Sequence, residues 1–217
     1  VAEYGLDAIG HLASFVVLYF VAIAVFIVVL LGGCLLACGV HPGRFARYFR
    51  EEILIVTATT SSDSVLPSIM AKLETMGIPR QVVGLVVPAG YSLNLDALSI
   101  YLGFAIVFLA DVTGTPLTLT QMLSMLATAL ITSKGAHGVP GIAIVVLAAT
   151  LSAAPSIPLS SLVLLLAVDW FIGIARAVGN LAGNCVAPVV MAVWNGSLDR
   201  SRVQDVLAPR GKMGSSS

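Results

Sequence analysis

A chain that carries an amide and a carboxylate in the middle of a membrane-length apolar run has few ways to fold. The stretch Pro88-Ala89-Gly90-Tyr91-Ser92-Leu93-Asn94-Leu95-Asp96 lies between the apolar runs 82–87 and 97–110. Together these runs are long enough for one membrane span. A carboxylate at the bilayer centre costs roughly 3 kcal/mol or more, so a plain lipid-facing helix would not place Asp96 there. Backbone broken at membrane depth is tolerated only where protein or a water-filled cavity surrounds it. Asn94 and Asp96 are therefore expected to face a site inside a bundle, with the other walls supplied by the rest of the chain.

Composition agrees with that setting. The sequence is 58% hydrophobic and 10% charged, with a net charge of zero and a mean hydropathy of +1.01. A soluble domain carries about 25% charge. The expected class is an all-α polytopic membrane protein, and the balanced charge gives no footprint for nucleic acid. The start shows no signal-peptide pattern, and a chain beginning at Val1 is expected to be a fragment of something longer. Cys34, Cys38 and Cys185 make no disulfide framework; they are expected to serve as small residues that let helices approach closely. The tail 209–217 is polar and expected to be disordered.

Apolar runs and their interruptions divide residues 1–208 into five parts. Residues 11–40 form a span, with His11 at its membrane edge. Residues 42–77 hold two short apolar helices joined by the hydroxyl-rich Thr59-Thr60-Ser61-Ser62-Asp63-Ser64. Neither helix alone crosses a bilayer, and Pro67 suits the first turn of the second, so this reads as a re-entrant hairpin. Residues 81–111 are the broken span, with Asp111 solvated at its end. Residues 118–153 form a second re-entrant hairpin with its tip at 133–141. Within that tip, Lys134 is expected to reach the aqueous edge. His137 reads as an ordinary tip residue, with proton carriage the alternative. Residues 159–195 form the last span. Arg44, Arg47, Arg50, Lys72, Arg80 and the basic residues after 199 then share one face, which the positive-inside rule makes cytoplasmic. A hairpin followed by a span, twice over with opposite entry, is the signature of inverted repeats. Such transporters bind substrate near the midplane, among the ends of discontinuous helices.

The second helix of each hairpin would point its N-terminal N–H groups inward, which suits an anion. Ser61, Ser62 and Ser64 add hydroxyls. Arg176, inside the last span, needs a counter-charge, and a substrate carboxylate would supply one with bidentate geometry. Asp169 is the structural alternative; it shares a face with Arg176 but lies two turns away, beyond an i,i+4 contact. Asn94, Asp96, Asn180 and Asn184, with freed backbone carbonyls, offer the oxygen ligands a hard cation prefers. The hydroxyls at 57–64 have a structural reading too, as bonds to backbone carbonyls.

At these residues the chain resembles the dicarboxylate/amino acid:cation symporter family, with the glutamate-transporter fold, and within it bacterial C4-dicarboxylate transporters. The matching stretches are Thr60-Ser61-Ser62-Asp63-Ser64-Val65-Leu66-Pro67, Gly90-Tyr91-Ser92-Leu93-Asn94-Leu95-Asp96, Thr132-Ser133-Lys134-Gly135-Ala136-His137-Gly138-Val139, and Asp169 through Arg176 to Asn180 and Asn184. The resemblance implies that the chain is part of a transport domain: the sixth span, first hairpin, seventh span, second hairpin and eighth span. It implies a homotrimer built on scaffold spans not present here, an elevator mechanism, and a multi-pass protein of the bacterial inner membrane.

The resemblance also implies roles. Ser61, Ser62, Gly138, Val139, Arg176 and Asn180 would hold the substrate. Gly90, Asn94, Asn180 and Asn184 would line one cation site, Asn94 with Asp96 another, and Ser92 with the carbonyls around Ser133 and Ala136 a third. No cofactor is implied beyond the co-transported Na⁺ or H⁺. Amino-acid carriers of this fold place an aspartate three residues before the arginine to hold the ammonium group. Here that residue is Gly173, which favours succinate, fumarate or malate. Three positions depart from the family pattern. Ala97-Leu98 stands where the family has Gly-Thr, so a methyl group is added and a hydroxyl lost. Asn184 stands where amino-acid carriers often have aspartate, which weakens the case for Na⁺ there and leaves H⁺ coupling open.

The expected function is thus cation-coupled uptake of C4-dicarboxylates, with an acidic amino acid symporter or a non-transporting, dicarboxylate-sensing fragment as alternatives. An intramembrane hydrolase using Ser62, His137 and Asp96 is the rival of another class, but no nucleophile-elbow pattern surrounds the serines.

Overall fold

The first long helix shows how the sequence sets up two separate cores. Its inward residues Phe15, Tyr19, Ile23, Ile27, Leu31 and Leu35 recur every fourth position. An α-helix turns about 100° per residue, so such a stripe drifts around a straight helix. The computed structural model, which describes residues 5–93, 96–133, 141–153 and 157–208, absorbs the drift with a π-helical stretch. Helix α1 (Gly5–Val25) runs through π-helical Phe26–Leu31 into α2 (Gly32–Ala37). The wider π turns keep the stripe facing inward.

The remaining elements are α3 (Pro42–Tyr48), α4 (Arg50–Thr59), α5 (Leu66–Thr75), α6 (Arg80–Leu93), α7 (Asp96–Val112), α8 (Leu119–Thr132), α9 (Ile142–Ala153), α10 (Leu162–Leu166), α11 (Asp169–Trp194) and α12 (Arg200–Val206). Among the described residues all regular structure is helical. The expected break at Asn94, most of the second hairpin's tip and the tail 209–217 lie outside the described residues. The last span differs from its expected form as one helix from 159. Val168 leaves helical geometry, with φ −117° and ψ −2°, so a short α10 precedes α11.

Among the described residues, three stretches are long and apolar enough to cross a membrane: Gly10–Ala37, Arg80–Val112 and Asp169–Trp194. The pairs α4/α5 and α8/α9 are too short to do so singly. Val17, Leu18, Val21, Val28 and Val29 on the first helix are exposed, as are Trp170 and Trp194 at the two ends of α11. Exposed tryptophans at both ends of one apolar helix fit an aromatic belt at each membrane surface.

The buried residues form two cores. One is built from α1, α7, α8, α9, α10 and the start of α11; the other from α2 to α6, the rest of α11 and α12. Helix α11 crosses from the first to the second between Ala175 and Ala177. Arg176 sits at that seam.

The first hairpin is fastened at its base. Glu52 on α4 is 2% exposed. Lys72 on α5 donates to Glu52 Oε2 at 2.7 Å and to the Tyr48 carbonyl at 3.1 Å. Ser68 donates to Glu52 Oε1 at 2.5 Å, and the Tyr48 hydroxyl donates to the Lys72 carbonyl at 3.2 Å. Sequence reasoning assigned Lys72 to a charged face and passed over Glu52, because nothing in the spacing of residues 52 and 72 shows that two helices meet there.

Basic residues gather at one end. Arg200 Nη1 donates to the Cys38 carbonyl at 3.2 Å, and the Asp199 N–H donates to the Gly77 carbonyl at 3.1 Å. Arg80 and Arg202 line one cavity of about 660 Å³. Asp199 caps α12, and the Ser201 hydroxyl, then the Arg202 N–H, hold its carboxyl below the usual carboxylate range.

Breaking a buried ion pair by removing one partner leaves an uncompensated charge and costs about 3–5 kcal/mol. Lys72→Ala is therefore expected to lower the thermal unfolding midpoint of the detergent-solubilised protein markedly. Glu51→Ala is expected to leave it nearly unchanged, since Glu51 has a 69% exposed side chain and meets Lys72 only at 3.7 Å.

Candidate functional site

Helix α11 packs against α1, α4, α6 and α7, and its polar residues Arg176, Asn180 and Asn184 recur every fourth position. This i,i+4 spacing stacks them on one face. All three are buried, so each must find partners among the surrounding elements.

Arg176 is 7% exposed. Its Nη1 lies 3.4 Å from Asp169 Oδ1, and its guanidinium stands 5.2 Å from the centre of the Tyr101 ring. The ion pair corrects the expectation that residues two turns apart stay out of contact. Cα–Cβ bonds on a helix tilt toward its N-terminus, so the long arginine leans back toward Asp169 in the first turn. One contact of 3.4 Å uses little of a group with five donors. The buried Tyr101 hydroxyl finds no partner among the described residues.

Asn180 has a structural task. Its Oδ1 accepts the Ala97 N–H at 2.9 Å, while the Ala97 carbonyl accepts the Tyr19 hydroxyl at 2.9 Å. The side chain thus receives a backbone N–H of the first turn of α7, and the oxygen expected to serve substrate or cation is engaged there. Asn184 is different. It is 4% exposed, and its buried Oδ1 and Nδ2 find no partner among the described residues. A Cβ on Gly90 would lie 2.6 Å from Asn184 Oδ1. The glycine lets α6 approach the amide closely.

At the tip of the first hairpin, Thr60 adopts a left-handed backbone, φ 53°. The Asp63 N–H lies 3.4 Å from Ser61 Oγ, and the Ser61 N–H donates to Thr59 Oγ1. The buried Ser62 hydroxyl donates to the Tyr91 hydroxyl at 3.1 Å. Ser92 is half-buried, and Asp96 opens α7, half-buried and engaged. The Ser133 hydroxyl donates back to the Leu130 carbonyl at 2.9 Å, within its own helix. Asn94, Ala136, Gly138 and Val139, with Lys134 and His137, lie outside the described residues. The structure brings together Ser62, Arg176, Asn180, Asn184 and Gly90 around α11. Tyr19, Tyr91 and Tyr101 join them, and sequence reasoning gave none of the three a role. The available signal was a polar-tipped aromatic at membrane depth, which is usually found with a partner when buried.

A family model described as the sodium:dicarboxylate symporter family matches residues 1–194. The chain belongs to that family. It is 58% identical over 207 residues to C4-dicarboxylate transport protein 2 of Ralstonia nicotianae, covering 95% of this chain and 46% of that protein. It is 54% identical over 209 residues to C4-dicarboxylate transport protein 1 of Pseudomonas aeruginosa, covering 96% and 46%. A C4-dicarboxylate transport protein of Caulobacter vibrioides is 48% identical over 207 residues, covering 95% and 50%. The chain spans about half the length of the curated relatives it matches. Membership in this symporter family, with its apolar helices, makes the chain a multi-pass membrane protein of a transporter family and not an enzyme.

The departure from the family pattern at Ala97-Leu98 has a structural setting. Ala97 is fully buried, and a Cβ on Gly179 would lie 2.7 Å from the Ala97 methyl. The extra methyl at 97 therefore seats where residue 179 has no side chain. Leu98 joins the first apolar core. Gly173 is buried, and a Cβ there would meet only ordinary contacts, Arg176 Nη2 at 3.7 Å and Thr60 Cβ at 4.0 Å.

Gly90→Ala is expected to lower the thermal midpoint, because overpacking a buried contact costs about 1–3 kcal/mol. Adding Asn184→Ala removes the clashing oxygen and should recover part of the loss. A midpoint unchanged by Gly90→Ala would contradict the close approach.

Proposed function

We propose that this chain is the substrate-carrying part of a secondary symporter that couples uptake of C4-dicarboxylates to entry of Na⁺ or H⁺. The observation that carries the reading is the setting of Arg176. A buried guanidinium with one 3.4 Å contact retains donors for a second carboxylate. A neutral residue, Gly173, stands beside it. A diacid would supply a second anionic partner, whereas an α-amino group would find no counter-charge at Gly173. Relatives that are C4-dicarboxylate transport proteins support the same substrates. The unpartnered Asn184 amide against Gly90 supports a cation site next to the substrate.

We further propose that the short-helix pairs α4/α5 and α8/α9 are re-entrant hairpins that gate this site. The carrier would move by an elevator mechanism within a trimer, in the bacterial inner membrane. The Glu52–Lys72 fastening supports a first hairpin that moves as one piece. The alternative reading as an acidic amino acid symporter calls for a carboxylate at residue 173, where this chain has glycine, and the Asp169 carboxylate is already paired with Arg176.

Radiolabelled succinate uptake by the full-length protein in liposomes tests the function. Arg176→Ala is expected to abolish uptake; undiminished uptake would sink the site assignment. Raising Na⁺ at fixed pH, or imposing a pH gradient without Na⁺, identifies the coupling ion. Gly173→Asp is expected to fold normally and to let aspartate compete with succinate. No competition by aspartate would count against the substrate argument.

A further inference from the structure

We infer that Tyr91 contacts the substrate, donating its phenol proton to the diacid carboxylate remote from Arg176; this rests on the dicarboxylate reading above. Tyr91 lies in the last turn of α6, directly after Gly90, which backs onto Asn184. One residue further is about 100° further round the helix, and the Tyr91 ring reaches the tip of the first hairpin. There its hydroxyl accepts the Ser62 proton at 3.1 Å. A phenol carries one proton of its own. The hydrogen bond from Ser62 does not use that proton, because the phenol oxygen is the acceptor there. Accepting one hydrogen bond strengthens a hydroxyl as the donor of the next. Tyr91 is half-buried, so the hydroxyl stands at the edge of the site rather than sealed in the core.

The tip also sets the distance. Thr60 lies beside Gly173 and the Arg176 guanidinium, since all three surround the same point on α11. Ser62, two residues on, meets Tyr91. Two residues of chain span at most about 7 Å. Arg176 and Tyr91 thus flank the same short tip, and a four-carbon diacid carries its two carboxylates at the ends of a chain of comparable reach. A positive end at Arg176 and a neutral donor end at Tyr91 would favour a substrate charged at both ends over one charged at a single end.

The test compares succinate with succinamate, in which one carboxylate is an amide, as ligands of the full-length purified protein. Wild-type protein is expected to bind succinate more tightly. In Tyr91→Phe, succinate should bind about 10- to 100-fold more weakly, the loss typical of one hydrogen bond to a charged group. Succinamate should change much less, so the gap between the two narrows. The thermal midpoint, which a shape-preserving change should leave nearly intact, verifies folding. Equal loss for both ligands would make Tyr91 a latch for Ser62 and overturn the inference, as would no loss at all. If wild-type protein binds neither ligand, the dicarboxylate reading fails first.

Discussion

The peptide of Ala97 is held from both sides, and much of the molecule depends on it. Its N–H goes to Asn180 on α11 and its carbonyl to the Tyr19 hydroxyl on α1, both at 2.9 Å. Its methyl fills the space that Gly179 leaves open. Three membrane-length elements are joined at one residue. The reason is the solvent: in a bilayer the N–H groups that open a helix cannot turn to water, so another element must receive them. Here Asn180 receives one, and the start of α7 is fixed against α11.

That junction lies at the seam between two apolar cores. Each core is built from apolar side chains, whereas Arg176, Asn180 and Asn184 run along α11 from the point where it passes from one core to the other. Polar groups at such a boundary are easier to satisfy, since hairpin tips and helix starts bring backbone donors and acceptors to it. Their states differ. Asn180 is used by the scaffold, Arg176 is partly used by Asp169 and Tyr101, and Asn184 is unused. A site that binds and releases cargo needs this mixture, with some groups fixed as a frame and others left to the ligand.

Membership in the sodium:dicarboxylate symporter family gives the departures at 97 and 98 a sharper meaning. In sequence, an extra methyl group and a missing hydroxyl directly after Asp96 look like damage to a site. In the structure the methyl has a seat against Gly179, and Leu98 belongs to the core. The change at 97 is a packing pair with residue 179, and the two positions should be considered together.

Much of this protein was legible in one dimension. Hydropathy and run length distinguished three membrane-length stretches from the pairs of short helices, because burying backbone in lipid demands helices of defined length. The i,i+4 spacing of Arg176, Asn180 and Asn184 placed them on one face. The polar residues at membrane depth marked the region where α6, α7 and α11 meet. What sequence could not decide was which polar atom is bound to which. Asp169 reached Arg176 although spacing argued against it. Glu52 found Lys72 across a hairpin, and Tyr91 met Ser62 from another element. Spacing along one helix fixes direction, but a hydrogen bond needs two atoms within about 3 Å. For partners on different helices that distance is set only when the helices pack.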